Sequence, residues 1–508
     1  MKVEEKWGSR IGIILVVASG AIGLGNFLRF PGQAAKFGGG AFMIPYIISF
    51  LILGLPVCLS EWIMGRMAYA KGHSAPNIFS NYLSGIPLRL VSALAILIPI
   101  MIYTYYVFVE AWCLSYAVDF FTNSIQLQAS NPEASTELAK AHFQNLIGSK
   151  QIGDAFHSKI LPYVFICYIL NFILIYRGIQ KGLEIFAKFA VPILLICSVI
   201  ILIKVLTLPN INLGLGRMWN PDWTALLEGK VWIAAAGQIF FSLSVGFGIV
   251  LTLSSYLSEK DDVLLSGLSA ASLNEFVEVV FGGLITIPLG FIFLGASVVS
   301  FGTFGMGFVA LPAIFSSMQG GMFFGGVWFL LLFIAAITSS VTMIQPGITF
   351  LEEGFKLKRK TSSPILFAFT FCISLFIVYF NEELTALDHT DFWVGTFLIF
   401  ILSSIQIIIY GWKIGTEEGR RNALQGALIS LPKSFDFVIK YITPSFLITI
   451  FLAFLIDESG FRSYIKIMTD GTSNKSYIAK LVFFGIIGIY LFLYFLVNLS
   501  LKQKKEKV

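Results

Sequence analysis

Long apolar runs recur from one end of the chain to the other, separated by short polar stretches. Each is long enough to supply the ~20 residues that a membrane-spanning helix needs. Twelve are read near residues 11–35, 42–66, 90–120, 160–177, 184–207, 231–256, 264–294, 323–352, 363–380, 392–413, 434–456 and 477–500. The pattern predicts an all-α integral membrane protein in the lipid bilayer.

Two of these runs are interrupted at their centres. In WGSRIGIILVVASGAIGLGNFLRFP, Trp7–Pro31, Gly20, Gly23 and Gly25 fall within six residues, flanked by Ser19 and Asn26. In the sixth run, Val231–Tyr256, Ser242, Ser244, Gly246 and Gly248 occupy the middle. In hydrocarbon, every freed backbone amide and carbonyl must find a partner inside the protein. Spans one and six cross in opposite directions, so matching breaks are the sign of an inverted repeat with a binding site at the midplane. Close helix packing also uses small residues, but it does not account for Ser and Asn among them in two matching positions. A nucleotide-binding loop is excluded, because no strand precedes the glycines and their spacing departs from G-x-G-x-x-G.

Composition agrees with this class: 508 residues, 56% hydrophobic, 13% charged, mean hydropathy +0.82. The net charge of +6 reads as topology. Lys2, Lys6 and Arg10, then Lys356, Lys358, Arg359 and Lys360, then Lys502, Lys504, Lys505 and Lys507 fall on one side if there are twelve spans. Both termini are therefore expected in the cytoplasm, in a cell (inner) membrane, with the 121–159 segment outside. Nucleic-acid binding is not implied, and no cleavable signal peptide is read. The five cysteines lie in apolar runs and the four histidines show no metal-ligand spacing, so neither a disulfide framework nor a nucleophilic triad emerges. No enzyme is expected.

The breaks and the polar stripes suggest chemistry. Leu24 and Gly25 begin the outer half of span one, where free amides suit a carboxylate. Ser19–Ile22 end the inner half, where free carbonyls suit a cation. A solute with both an anionic and a cationic group fits, and an amino acid is the simplest. In span eight Ala335, Ser339 and Met343 share a face with Thr338 and Thr342 beside them. In span seven Asn274 and Glu278 share a face, and in span three Ile102, Tyr106 and Glu110 do. Glu61, Glu110 and Glu278 are carboxyls in or near hydrocarbon, each a functional hypothesis by default; for Glu61, bonding to an unwound backbone is an equal alternative. Glu352 and Glu353 are read as ending span eight.

Taken together, SGAIGLGNFLRFP, GGGAFMIPY, EWIMGR, WIAAAGQIFFSLSVGFG, LSGLSAASLNE and AAITSSVTMIQP resemble the neurotransmitter:sodium symporter family, most closely its bacterial leucine-transporter branch. The resemblance covers almost the whole chain. It implies a LeuT-type fold of twelve helices in one transporter domain, 1–508, with a 5+5 inverted repeat (10–207 and 231–413) and two further spans over 434–500. It also implies symport of a neutral amino acid with Na+ bound at two sites. By motif position the first sodium would be held by the Ala21 carbonyl, Asn26, Ser242, Asn274 and the substrate carboxylate. The second would be held by the carbonyls of Ser19, Ile22 and Ala335 and the hydroxyls of Thr338 and Ser339. The substrate carboxylate would meet the Leu24 and Gly25 amides and the Tyr106 hydroxyl. Its amino group would meet the Ala21, Phe241 and Ser242 carbonyls and Ser244. Ile102, Phe241, Phe247, Ser244 and Met343 would enclose the side chain, and Gly20 and Ser339 are also expected among the substrate-binding residues. Arg29 and Asp391 match the family's outer-gate ion pair, which would close over Tyr106 and Phe241.

Three departures stand out. Ser19–Gly20 replaces the family's usual pair. No arginine precedes Trp7, where Glu4, Glu5 and Lys6 stand, so Lys6 or Lys2 is left to pair with Glu353. Glu278 stands where chloride-dependent relatives carry a neutral residue, which implies chloride-independent transport and a proton returned on the empty step. The alternatives are symport of another zwitterion or amine, such as a betaine, and a non-transporting membrane amino-acid sensor. A large soluble domain would mark the sensor, and none is read here. A monomer or homodimer is expected.

Overall fold

The computed structural model describes residues 7–505 apart from Ser130, Ser459 and Thr472. Lys2, Glu4, Glu5, Lys6 and Lys507, invoked above, lie outside the described residues. Among those described, the regular structure is helical throughout, and two residues make an isolated β-bridge, Gly39 with Pro221.

Among the described residues, nine helices are long and apolar enough to cross a membrane. A bent pair, Arg10–Ala21 and Gly25–Lys36, makes a tenth span with a 48° bend at its break. The expected fourth span is the shorter apolar helix Ile160–Tyr176. The expected sixth is split into Gly229–Ser242 and Ile249–Ser254. Each expected run thus falls on a helix or a broken helix, although ten rather than twelve meet the length of a full crossing. The segment between spans three and four contains a further helix, Pro132–Ile147, capped by the Asn131 side chain.

Local sequence explains both breaks. Ser9 caps the start of span one by accepting from the Gly12 amide at 3.0 Å, and the helix runs to Ala21 before Ile22 turns extended. Without i→i−4 partners, the next groups are taken up by side chains: the Gly23 amide donates to Asn26 Oδ1 at 2.8 Å. In span six, Ser244, Gly246 and Gly248 have φ of 52°, 75° and 79°, left-handed backbone that ends a helix and that glycine adopts at least cost. The freed Gly246 amide donates to Glu61 Oε1 at 3.1 Å. That bond assigns Glu61 the backbone-bonding role weighed above.

Packing places the breaks at the centre. The inner half of span one lies against spans seven (Val263–Leu294) and eight (Gly321–Gly354), and spans three (Gly85–Phe121) and eight pack together along much of their length. Gly282 permits the closest approach of span seven to span one, since a Cβ there would lie 1.9 Å from the Asn26 carbonyl oxygen. Asn26, Asn274 and Glu278 are fully buried, so their polar atoms must find partners inside the protein.

Candidate functional site

The site is built where the two broken spans meet spans three, seven and eight. Span three delivers Tyr106, whose hydroxyl accepts from the Leu24 amide at 3.1 Å. The glycines of span one make this possible: a Cβ on Gly23 would lie 2.6 Å from that hydroxyl and 3.0 Å from Ser339 Oγ. A Cβ on Gly20 would lie 2.8 Å from Thr342 Oγ1, and one on Gly25 would lie 2.9 Å from the Phe241 ring.

Below the break, oxygens gather. The Ser339 hydroxyl lies 3.4 Å from the Ser19 carbonyl, 3.4 Å from the Ile22 carbonyl and 3.0 Å from the Ala335 carbonyl. Thr338 Oγ1 lies 3.0 Å from the Ala335 carbonyl as well. The five groups assigned to a second sodium from span one and span eight are therefore brought together. They are hard, neutral oxygens, although Ala335 lies within a continuous helix and Thr338 Oγ1 is also 3.0 Å from the Ile334 carbonyl. A small monovalent cation fits that set.

Three of the groups assigned to a first sodium, Asn26, Ser242 and Asn274, also converge. Asn26 Nδ2 donates to Asn274 Oδ1 at 3.0 Å, and Asn274 Nδ2 donates to Ser242 Oγ at 2.7 Å. These bonds place Asn26, Ser242 and Asn274 in one buried network. Glu278 joins it from the same face of span seven. Its Oε1 accepts from Tyr46 at 2.8 Å and from Gln238 at 2.9 Å. Its Oε2 accepts from Asn26 at 2.9 Å and from Ser242. Asn26, Gln238 and Ser242 donate to this carboxyl, while the single Tyr46 proton is shared between Glu278 and Glu275, so the carboxyl has a built polar seat here. Tyr46, Gln238 and Glu275 were not assigned from the sequence, although GGGAFMIPY and WIAAAGQIF, which hold the first two, carried part of the resemblance.

The residues expected to enclose a substrate side chain are mostly apolar and mostly buried. Ile102, Phe247 and Met343 are buried, and the Phe241 and Phe247 rings meet edge-on at 6.2 Å. Ser244 is buried beside them at the break of span six. Above Tyr106 and Phe241 opens a cavity of about 360 Å³ lined by Leu24, Arg29, Tyr105, Asp388 and Asp391 among others. Arg29 and Asp391 face this cavity together but do not form the direct ion pair expected of them. Arg29 instead donates to the Gly237 carbonyl at 3.2 Å and stands 4.7 Å over the Phe241 ring, while Asp391 accepts from Tyr105 at 2.5 Å. Arg29 of span one thus bonds to span six, and Asp391 bonds to span three.

At the opposite end, Glu353 does more than end span eight. It accepts from the His73 and Ser74 amides at 2.8 and 2.7 Å and from Asn77 at 2.7 Å, capping the helix Ala75–Phe79. His73 stacks on Tyr256 at 3.8 Å. Trp7 donates to the Leu253 carbonyl at 3.1 Å, and Glu184 accepts from the Gly8 amide at 2.7 Å and Ser9 Oγ at 2.8 Å. These contacts hold the start of span one against spans five and six in a chain that has no arginine before Trp7.

Comparison with known proteins places this geometry. The family model described as the sodium:neurotransmitter symporter family matches residues 4–158 and 150–466. An uncharacterized sodium-dependent transporter of Methanocaldococcus jannaschii is 30% identical over 99% of this chain and 98% of its own length. The sodium-dependent serotonin transporter of Drosophila melanogaster is 27% identical over 89% of this chain and 76% of its own length. Among solved structures, that of MhsT in complex with L-phenylalanine superposes with a TM-score of 0.77 at 26% identity, covering 89% of this chain and 99% of that one.

Proposed function

Since the chain belongs to the sodium:neurotransmitter symporter family, and is thus a sodium-dependent secondary transporter of LeuT-type fold and no enzyme, we propose that it takes up a neutral, small to medium aliphatic amino acid with sodium, independently of chloride. The observation that carries this reading is the break in span one, which offers the Leu24 amide and Tyr106 hydroxyl on one side and a ring of neutral oxygens around Ser339 on the other. A zwitterion and a small cation are the pair of ligands that complements such a junction.

In this reading two sodium ions are bound. Ala21, Asn26, Ser242 and Asn274 hold one together with the substrate carboxylate, and Ser19, Ile22, Ala335, Thr338 and Ser339 hold the other. A shared carboxylate makes sodium and amino acid each raise the other's affinity by the same factor. Glu278 supplies the fixed anion that would otherwise be recruited from solution. Residues 10–207 and 231–413 are the two halves of the inverted repeat, both termini face the cytoplasm, and the apolar pocket rejects charged side chains because an unpaired buried charge is costly. A second reading, an aromatic substrate, is favoured by the likeness to the MhsT structure, which holds L-phenylalanine.

The test is a binding screen of the purified protein against the amino acids, in sodium and in choline. Sodium-dependent binding of aliphatic residues is expected. Equal affinity in the two salts, or preference for lysine or glutamate, overturns the proposal, and preference for phenylalanine selects the second reading.

A further inference from the structure

Behind the oxygens around Ser339 lies a second buried polar cluster that neither candidate sodium site uses. Glu110 stands one turn beyond Tyr106 in span three, Asn171 lies in the Ile160–Tyr176 helix, and Ser340 follows Ser339 in span eight. All three are fully buried, at 0% exposure. Ser340 Oγ lies 2.7 Å from Glu110 Oε2, 2.8 Å from Asn171 Oδ1 and 3.2 Å from the Ile337 carbonyl. Asn171 Nδ2 lies 3.0 and 3.2 Å from the two Glu110 oxygens and 3.0 Å from the Cys167 carbonyl.

Counting protons decides the state of this cluster. The Ser340 hydroxyl has one proton and faces three acceptors. With Glu110 ionised, one short oxygen–oxygen contact, to Glu110 or to Asn171, has no proton in it. Turning the Asn171 amide over does not help. Its nitrogen would then face Ser340, but its oxygen would lie against Glu110 and the Cys167 carbonyl, again without a proton between them. Either orientation of the amide, which is an assignment and not an observation, calls for one more proton, and Glu110 is the group able to hold it. The titratable side chains facing Glu110 are Tyr103, Tyr106 and Cys113 on its own helix and Cys167 and Tyr168 on the Ile160–Tyr176 helix. None is a cation that could balance a carboxylate in hydrocarbon.

We infer that Glu110 is a resident proton-binding site: its neutral carboxyl donates to Ser340 Oγ, Ser340 donates to Asn171 Oδ1, and the chain of bonds ties spans three, four and eight together. The consequence for transport rests on the sodium reading above. A neutral Glu110 keeps a fixed negative charge away from the residue next to Ser339, so the second cation is held by neutral oxygens alone and can be released. An ionised Glu110 would hold it tightly.

The test is an infrared difference spectrum of the purified protein, wild type minus Glu110→Gln, at neutral and alkaline pH. Gln keeps the shape and a donor toward Ser340. Loss of a protonated-carboxyl carbonyl band, with the carboxylate bands unchanged, is expected at both pH values; loss of carboxylate bands instead overturns the inference. Ser340→Ala removes the acceptor of that proton, so the Glu110 band should move to higher frequency, and an unmoved band overturns the assigned bond. Binding of radioactive sodium without amino acid supplies a functional readout. Half-saturation within about twofold of wild type in Glu110→Gln is expected, whereas weakening of about tenfold or more would report a charge that had been present. If neither protein binds sodium, the transport reading fails, while the infrared spectrum still decides the protonation of Glu110.

Discussion

The Leu24 amide and the Tyr106 hydroxyl, 82 positions apart in the chain, are hydrogen-bonded at 3.1 Å across the break in span one. Both groups are those assigned to a substrate carboxylate, so the pair is held in readiness by its own bond. Tyr106→Phe removes the phenolic partner and leaves the amide alone. A hydrogen bond to a charged group contributes about 1.5–3 kcal/mol, so amino-acid affinity should fall roughly 10- to 100-fold. Saturation binding of the preferred amino acid at fixed sodium checks this, and unchanged affinity would place the carboxylate elsewhere.

Ser339 is the hydroxyl around which the Ser19, Ile22 and Ala335 carbonyls gather. Ser339→Ala removes one oxygen ligand while keeping the helix, since alanine is the best helix former. Sodium half-saturation should rise about tenfold, on the scale of one lost charge-assisted bond, with the folded state preserved. Sodium-dependent thermal stabilisation measures both effects together. A wild-type sodium response in Ser339→Ala would remove this cluster from the coupling scheme.

Met343 and Ile102 are buried and are the proposed walls of the pocket. Met343→Ala and Ile102→Ala each take away three or more heavy atoms from a close-packed interior. Larger hydrophobic amino acids should then compete better against the preferred one, and the smallest should bind more weakly because a void remains beside them. Competition binding with a graded series from alanine to tryptophan reads this directly; an unaltered order of preference would show that these side chains do not touch substrate.

Glu278 is surrounded by donors from Tyr46, Gln238, Asn26 and Ser242. Glu278→Ser deletes the anion and leaves those donors directed at a cavity, which is a built site for a halide. Uptake by the variant in proteoliposomes should become dependent on chloride, while the wild type works equally in chloride and gluconate. Equal activity of the variant in both salts would detach Glu278 from the ion chemistry.

Much of this was legible along the chain because it rests on local rules. Asn274 and Glu278, or Ile102, Tyr106 and Glu110, share a face by helical spacing alone. The breaks at Ser19–Asn26 and Ser242–Gly248 announce themselves because glycine and hydroxyl residues do not sit at the middle of a lipid-crossing helix without a compensating bond. Tyr46 and Gln238 carried no such signal. Each is an ordinary polar residue on its own helix, and both acquire meaning only by pointing at Glu278, 232 and 40 positions away. Arg29 and Asp391 were recognisable as a pair by motif, but their separate bonds to Gly237 and Tyr105 depend on side-chain rotamers, which no motif encodes.

Hydropathy and motif by themselves determined the membrane class, the course of the spans, the two interruptions and the residue types that face one another across them. They do so because burial in lipid acts on every residue through its immediate neighbours and through the helical period. The tertiary structure alone decided which oxygens encircle Ser339, which donors close on Glu278, and that Glu110 shares a proton with Ser340 and Asn171. Those are meetings of groups from three or more helices, fixed to within a few tenths of an ångström by how the helices pack, and no periodicity along one chain carries that information.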